Sequence, residues 1–145
     1  MTEIVVHAPD ELLGAAEVAA AALRSALERL GAPEFAEVAL VLADDQELAR
    51  LNETFRGIAE PTDVLSFVPR SAHLPPSESG YLGDIVISVP FAERNAAAAG
   101  RDLASELRLL AVHGLLHLLG HDDEDEAGAD AMYRLELELG VREAS

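Results

Sequence analysis

No cysteine occurs in this chain of 145 residues, so neither a disulfide nor a thiolate metal site is available to it. Lysine is absent as well: all ten basic residues are arginine, set against 27 Asp and Glu, and the net charge is −17. Nucleic-acid binders usually carry a basic patch, so this balance argues against a broad electrostatic grip on a polyanion. A local field at a cleft can still oppose the total charge. Long apolar runs are missing too. The most hydrophobic stretch, Leu109 to Leu119, is far shorter than the roughly 20 residues a membrane helix needs. Met1-Thr2-Glu3 leads straight into a short apolar strand with no signal pattern, which gives a cytoplasmic protein as the expectation. What is present is a core: half the residues are hydrophobic, which excludes disorder and predicts one domain over 1–145.

The chemistry concentrates in His113-Gly114-Leu115-Leu116-His117-Leu118-Leu119-Gly120-His121-Asp122-Asp123. Two histidines four apart on a helix project from one face and can reach one ion. Gly120 can end that helix at positive φ, and the returning chain can bring Asp123 to the same point. Two nitrogens and one carboxylate oxygen leave a fourth tetrahedral position for water, the layout of a catalytic zinc site. His121 is the alternative third ligand. Two imidazoles on a helix otherwise built of Leu, Ala and Val need partners, because burying them unpaired is costly. Hydrogen bonds to backbone carbonyls would be the non-metal solution. In zinc peptidases of the H-E-x-x-H type a Glu follows the first histidine as general base; here that position is Gly114, so a peptidase would lack its base.

Along the chain, strands are expected at Glu3–His7, Ala36–Leu42, Val64–Val68 and Leu82–Val89, the last a central one because Ile85-Val86-Ile87 is unbroken. Helices are expected from Asp10 or Pro9 to Leu30, from an Asp44/Glu47 capping box to about Phe55, and from Pro90 to Ala99. Asp102 is expected to cap the histidine helix, and a last helix runs from Ala127 to Leu139, closed by Gly140. Ser71–Gly80, rich in Pro and Ser, reads as a loop. The pattern predicts an α+β domain, a small mixed four-stranded sheet covered by about five helices.

Three blocks together resemble the YbeY endoribonuclease family of ribosomal RNA maturation. The histidine stretch resembles its H-G-x-L-H-L-x-G-[YH]-D-H signature. Phe55-Arg56-Gly57 with Pro61-Thr62-Asp63-Val64-Leu65-Ser66-Phe67 resembles a Y/F-R-G…P-T-[DN]-V-L-S-F segment, and Leu82-Gly83-Asp84-Ile85-Val86-Ile87 an L-G-D-I-x-I segment. Two departures stand out: Asp123 where the family usually has histidine, and Val68 interposed between Phe67 and Pro69.

The resemblance implies a fold with the metal helix central, and a zinc-dependent endoribonuclease cutting single-stranded RNA. It would act in ribosomal RNA maturation and ribosome quality control, with one zinc per chain held by His113, His117 and Asp123. Nickel or another divalent ion suits the same imidazoles. Arg56 and His113 are the residues expected to carry catalysis, and Arg56 and Ser66 to touch substrate. Arg56 matches a family motif position and can clamp a phosphate in bidentate fashion. Ser66 has a plainer reading as a satisfied hydroxyl in a half-buried strand, and Asn52, one turn before Arg56, as its orienter or as a solvent-facing residue. Thr62 and Asp63 read as makers of turn hydrogen bonds. Arg70, Arg94 and Arg101 read as scattered surface charges, and His7 and His73 lie far from the histidine helix in sequence. The expected partners are ribosomal RNA and proteins of the small ribosomal subunit, with no membrane. Two other classes compete: a zinc metallopeptidase or amidohydrolase, and a non-catalytic ribosome assembly factor with a structural ion.

Overall fold

The computed structural model describes residues 2–34, 36–68 and 80–142. The elements run β1 (Glu3–His7), α1 (Leu13–Arg29), β2 (Glu37–Ala43), α2 (Asp45–Arg56), β3 (Val64–Phe67), β4 (Tyr81–Ser88), α3 (Val89–Ala99), α4 (Leu103–Leu118) and α5 (Glu126–Glu138). The four strands form one mixed sheet in the order β1-β2-β4-β3. The pairs β1/β2 and β2/β4 are parallel, with Leu40 beside Ile85, and β3 closes the edge antiparallel to β4, with Leu65 beside Val86. Among the described residues the expected α+β fold, a mixed four-stranded sheet with five helices, is the one observed, and the apolar strand at Ile85–Ile87 lies inside the sheet.

Strand alternation divides the core in two. Val38, Leu40, Leu42, Ile85 and Ile87 face α1, α3 and α4 in the main cluster, where Leu23, Leu27, Leu107, Leu115 and Leu116 are fully buried. On the opposite face, among the described residues, Leu65 and Val86 meet α2 through Leu48, with Val41, Leu51 and Phe67 around them. Each buried Leu side chain contributes about 1.5–3 kcal/mol, so the helix that carries the histidines is seated on the best-packed side of the sheet.

The ends of the elements follow local chemistry. Asp44, Ser88, Asp102 and Asp125 each cap a helix by accepting a backbone N–H with the side chain. Asp44 accepts from Glu47, but the reciprocal half of the box is not made, since the Glu47 carboxylate pairs with Arg50. The first helix differs from expectation at its start: Asp10–Leu12 form a single 3-10 turn after Pro9, which offers no side-chain cap, and the α-helix begins at Leu13. The third strand stops at Phe67, one residue short of Val68. Arg70, His73 and the expected loop as far as residue 79 lie outside the described residues. Among the described residues no helix is long and apolar enough to cross a membrane.

Candidate metal centre

The helix α4 brings its two histidines to the surface end of an otherwise buried rod. Residues on all sides of them, Val112, Gly114, Leu115 and Leu116, are buried, while His113 and His117 are half-buried. Close approach to the sheet sets their position. A Cβ on Gly114 would sit 2.8 Å from Ile85 Cγ2 and 3.0 Å from Ser66 Oγ, so α4 lies against β3 and β4 only because this residue has no side chain. The space that a peptidase would give to its catalytic Glu is filled here by the sheet itself. After Leu118 the helix closes, with Gly120 at φ 98° and the His121 N–H donating to the Leu116 carbonyl at 3.0 Å. The following turn is tied down by the Asp122 side chain accepting from the Glu124 N–H and by Asp125 capping α5. Asp123, between them, is directed back toward α4.

His113 Nε2 and His117 Nε2 face each other at 3.2 Å, with Asp123 Oδ2 at 3.4 Å from the first and 3.9 Å from the second. A tetrahedral zinc with bonds of about 2.0–2.1 Å spaces its ligand atoms roughly 3.3 Å apart. Two imidazole nitrogens and one carboxylate oxygen at these separations fit a single ion. Among the described residues this is the one group of three His, Asp or Glu side chains so arranged. His121 is outside it: its backbone serves the helix end, and its side chain lies neither in the cluster nor along the adjoining cavity.

A residue that sequence reasoning missed holds this arrangement in place. Glu136 on α5, almost fully buried, bonds His113 Nδ1 through Oε2 at 2.6 Å and receives Arg142 Nε on Oε1 at 2.9 Å. With Nδ1 engaged there, Nε2 is the nitrogen presented to an ion, the arrangement in which a carboxylate orients a metal-binding histidine. The Glu136 bond raises the His113 pKa above its usual value, against the opposing effect of burial. Burial pushes the Glu136 carboxyl up, but the bonds from His113 and Arg142 outweigh it and hold it below the usual range. The signal was readable: Glu136 falls on the same stripe of α5 as Met132, Leu135 and Leu139, and a carboxylate on an apolar stripe needs a polar partner in the core.

The open side of the triad gives onto a cavity of about 520 Å³ lined by residues of β3, the loop before it, α4 and the 122–124 turn, together with Arg56. Arg56 is the single arginine on this wall among the described residues, and it is exposed. Arg94 and Arg101, by contrast, are paired with Asp45 and Glu106 away from the cavity, and Arg142 with Glu136. Asp63 enters the cavity wall, accepting the adjacent Val64 N–H on Oδ1 as a turn residue does and, beyond that expectation, Asn95 Nδ2 of α3 on Oδ2. Ser66 also lines the cavity, with its Oγ donating to the Gly114 carbonyl at 2.8 Å. Asn52 does not orient Arg56. It is buried, its Nδ2 donates to the Glu60 carbonyl at 2.9 Å, and it fastens the turn that follows α2.

Known proteins agree with this picture. The family model described as endoribonuclease YbeY matches residues 10–141. A Moorella thermoacetica protein named endoribonuclease YbeY is 47% identical over 116 residues, covering 76% of this chain and 74% of that one. One of the same name from Dehalococcoides mccartyi is 33% identical over 150 residues, covering 96% and 90%. A solution structure of a Thermotoga maritima protein shares the fold, with a TM-score of 0.65 at 23% identity over 94% of this chain and 85% of that one. On these matches, with the histidine block and the Arg56–Phe67 block meeting at one cavity, the chain belongs to the YbeY endoribonuclease family.

Proposed function

We propose that this protein is a zinc-dependent endoribonuclease that cuts single-stranded RNA and serves in ribosomal RNA maturation and ribosome quality control. The observation that carries the reading is an arginine without a carboxylate partner among the described residues, on the wall of the cavity onto which the two histidines and Asp123 open. Family membership supplies the reaction class. A zinc ion held by His113, His117 and Asp123 would supply a Lewis acid and lower the pKa of water at the site.

The chain's own residues supply the rest. The Arg56 guanidinium holds two non-bridging phosphate oxygens in its planar fork and offsets the charge that grows on them as the P–O bond breaks. Ser66, which donates to Gly114, keeps lone pairs with which to accept a substrate hydroxyl. Glu136 keeps His113 from turning, so the ligand set is formed before substrate arrives. Asp63, Asp122 and Glu124 on the same wall repel loosely bound phosphate and restrict productive binding to a strand that reaches Arg56. The net charge of −17 suits docking on basic proteins of the small ribosomal subunit better than on bare RNA. The nucleophile is either water or the RNA's own 2′-hydroxyl; the latter leaves a cyclic phosphate, so end-group analysis of the products separates the two.

The test is cleavage of an end-labelled single-stranded RNA before and after chelation, with zinc added back, for the parent and Arg56→Ala. Chelation should abolish cleavage and zinc restore it. Arg56→Ala should keep its zinc and lose about 10²- to 10³-fold in kcat, as for removal of one charge-stabilising donor. Full cleavage by Arg56→Ala, or by the chelated protein, would overturn the assignment.

A further inference from the structure

The strand β3 has a second concavity on its other side. A groove of about 500 Å³ runs between α2 and the β3–β4 edge, walled by Leu51, Phe55, Leu65, Phe67 and Val86, with Asp84 alongside. It is not separate from the metal cavity, because Arg56, Leu65, Ser66 and Val68 line both. Alternation along β3 explains the division: Ser66 faces α4 and the cavity, while Leu65 and Phe67 face α2 and the groove. Among the described residues α2 alone covers this face, and it covers only part of it. Phe55 and Phe67 stand at its mouth with ring centroids 4.9 Å apart and planes tilted by 57°, and Phe67 is half-buried.

We propose that this groove binds one unstacked nucleobase of the RNA strand whose phosphate Arg56 holds, a subsite that rests on the nuclease reading above. A polynucleotide alternates a charged phosphate with a flat apolar ring. The molecule offers the same alternation across one strand, a guanidinium at the ridge and an aromatic, aliphatic slot beyond it. Asp84 decides which part of the nucleotide enters. Its Oδ1 receives the Tyr81 hydroxyl; the carboxylate repels phosphate, while Oδ2 can accept a hydrogen bond from a ring or exocyclic N–H of a base. Bases stack on aromatic side chains whatever their identity, so the subsite fixes the position of the strand relative to the ion without demanding a particular sequence. A protein segment is the competing occupant, disfavoured because the groove is continuous with the wall that carries the phosphate-binding arginine.

The experiment uses a single-stranded RNA with one cleavage site, in which an abasic ribonucleotide replaces each position flanking the scissile phosphate in turn. One position should raise KM by about 5- to 150-fold, the range for loss of one base stacked on an aromatic, with kcat little changed. In Phe67→Leu that position-specific penalty should disappear. A flat response along the strand in the parent overturns the proposal. A second measurement follows the Leu51, Leu65 and Val86 methyl resonances during titration with cytidine 5′-monophosphate or ribose 5-phosphate. Shifts caused by the nucleotide and not by the sugar phosphate support the groove even if no RNA is cut, in which case the nuclease reading alone fails. Shifts from neither compound, the result expected of a groove reserved for a protein segment, or equal shifts from both, overturn it.

Discussion

Two carboxylates approach His113 from opposite ends of its ring, and they differ in almost every respect. Asp123 faces Nε2 at 3.4 Å from a short turn, with 43% of its side chain exposed; Glu136 grips Nδ1 at 2.6 Å from within a helix, with 2% exposed. The first is placed where it could share an ion, the second where it fixes the ring that would bind one. The centre therefore joins an open, solvent-facing half to a closed half rooted in the core. An enzyme that must admit a substrate and still hold its ligands in register needs both.

That contrast can be broken from either side. The largest effect belongs to the open half. Asp123→Ala removes the proposed third ligand and should weaken zinc binding, read by competition with a chromogenic chelator, by more than any change behind the ligands, while the fold is retained because the side chain is exposed. Retention of parental affinity would remove Asp123 from the site. The next effect belongs to the closed half. Glu136→Gln keeps the shape but gives up the charge, and should cost about 10- to 100-fold in zinc affinity, the usual range for a partner behind a metal ligand. It should also cost about 1.5–3 kcal/mol of stability from the lost charged hydrogen bonds, seen in urea denaturation of the metal-free protein. A variant that loses stability but no affinity would make Glu136 a core residue only.

The smallest effect lies away from both. Asp45, half-buried at the start of α2, has its pKa lowered first by the Ser88 hydroxyl bond and then by Arg94. A carboxylate with a depressed folded-state pKa contributes stability above its unfolded value, near 3.8, and loses that contribution as pH falls through the lower one. Asp45→Asn should therefore be less stable than the parent at neutral pH and converge with it in strong acid, with zinc affinity untouched. A difference that persists below both values would show that the effect is not electrostatic.

The open half of the site was legible in the sequence and the closed half was not. His113 and His117 declare themselves because helical spacing is a local property, and Asp123 follows within one turn of the same segment. Glu136 belongs to another helix, and its meeting with His113 depends on how α5 packs against α4, which no local pattern states. The sheet divides in the same way. The alternation and apolar runs marked all four strands to within a residue or so, and the interior place of β4 showed in Ile85-Val86-Ile87. The order β1-β2-β4-β3, which puts β3 at an edge with a concavity on each side, is a long-range result. Asn52 was misplaced for a related reason: one helical turn suggested a contact with Arg56, whereas the chain folds back to bring the Glu60 carbonyl to it.

X-ray absorption at the zinc edge of the protein loaded with one equivalent of zinc bears most directly on the ligand set. Two imidazoles and light oxygen scatterers at about 2.0 Å, unchanged in His121→Ala, are the predicted result. Three imidazoles in the parent, falling to two in His121→Ala, would contradict it and move the third ligand from Asp123 to His121.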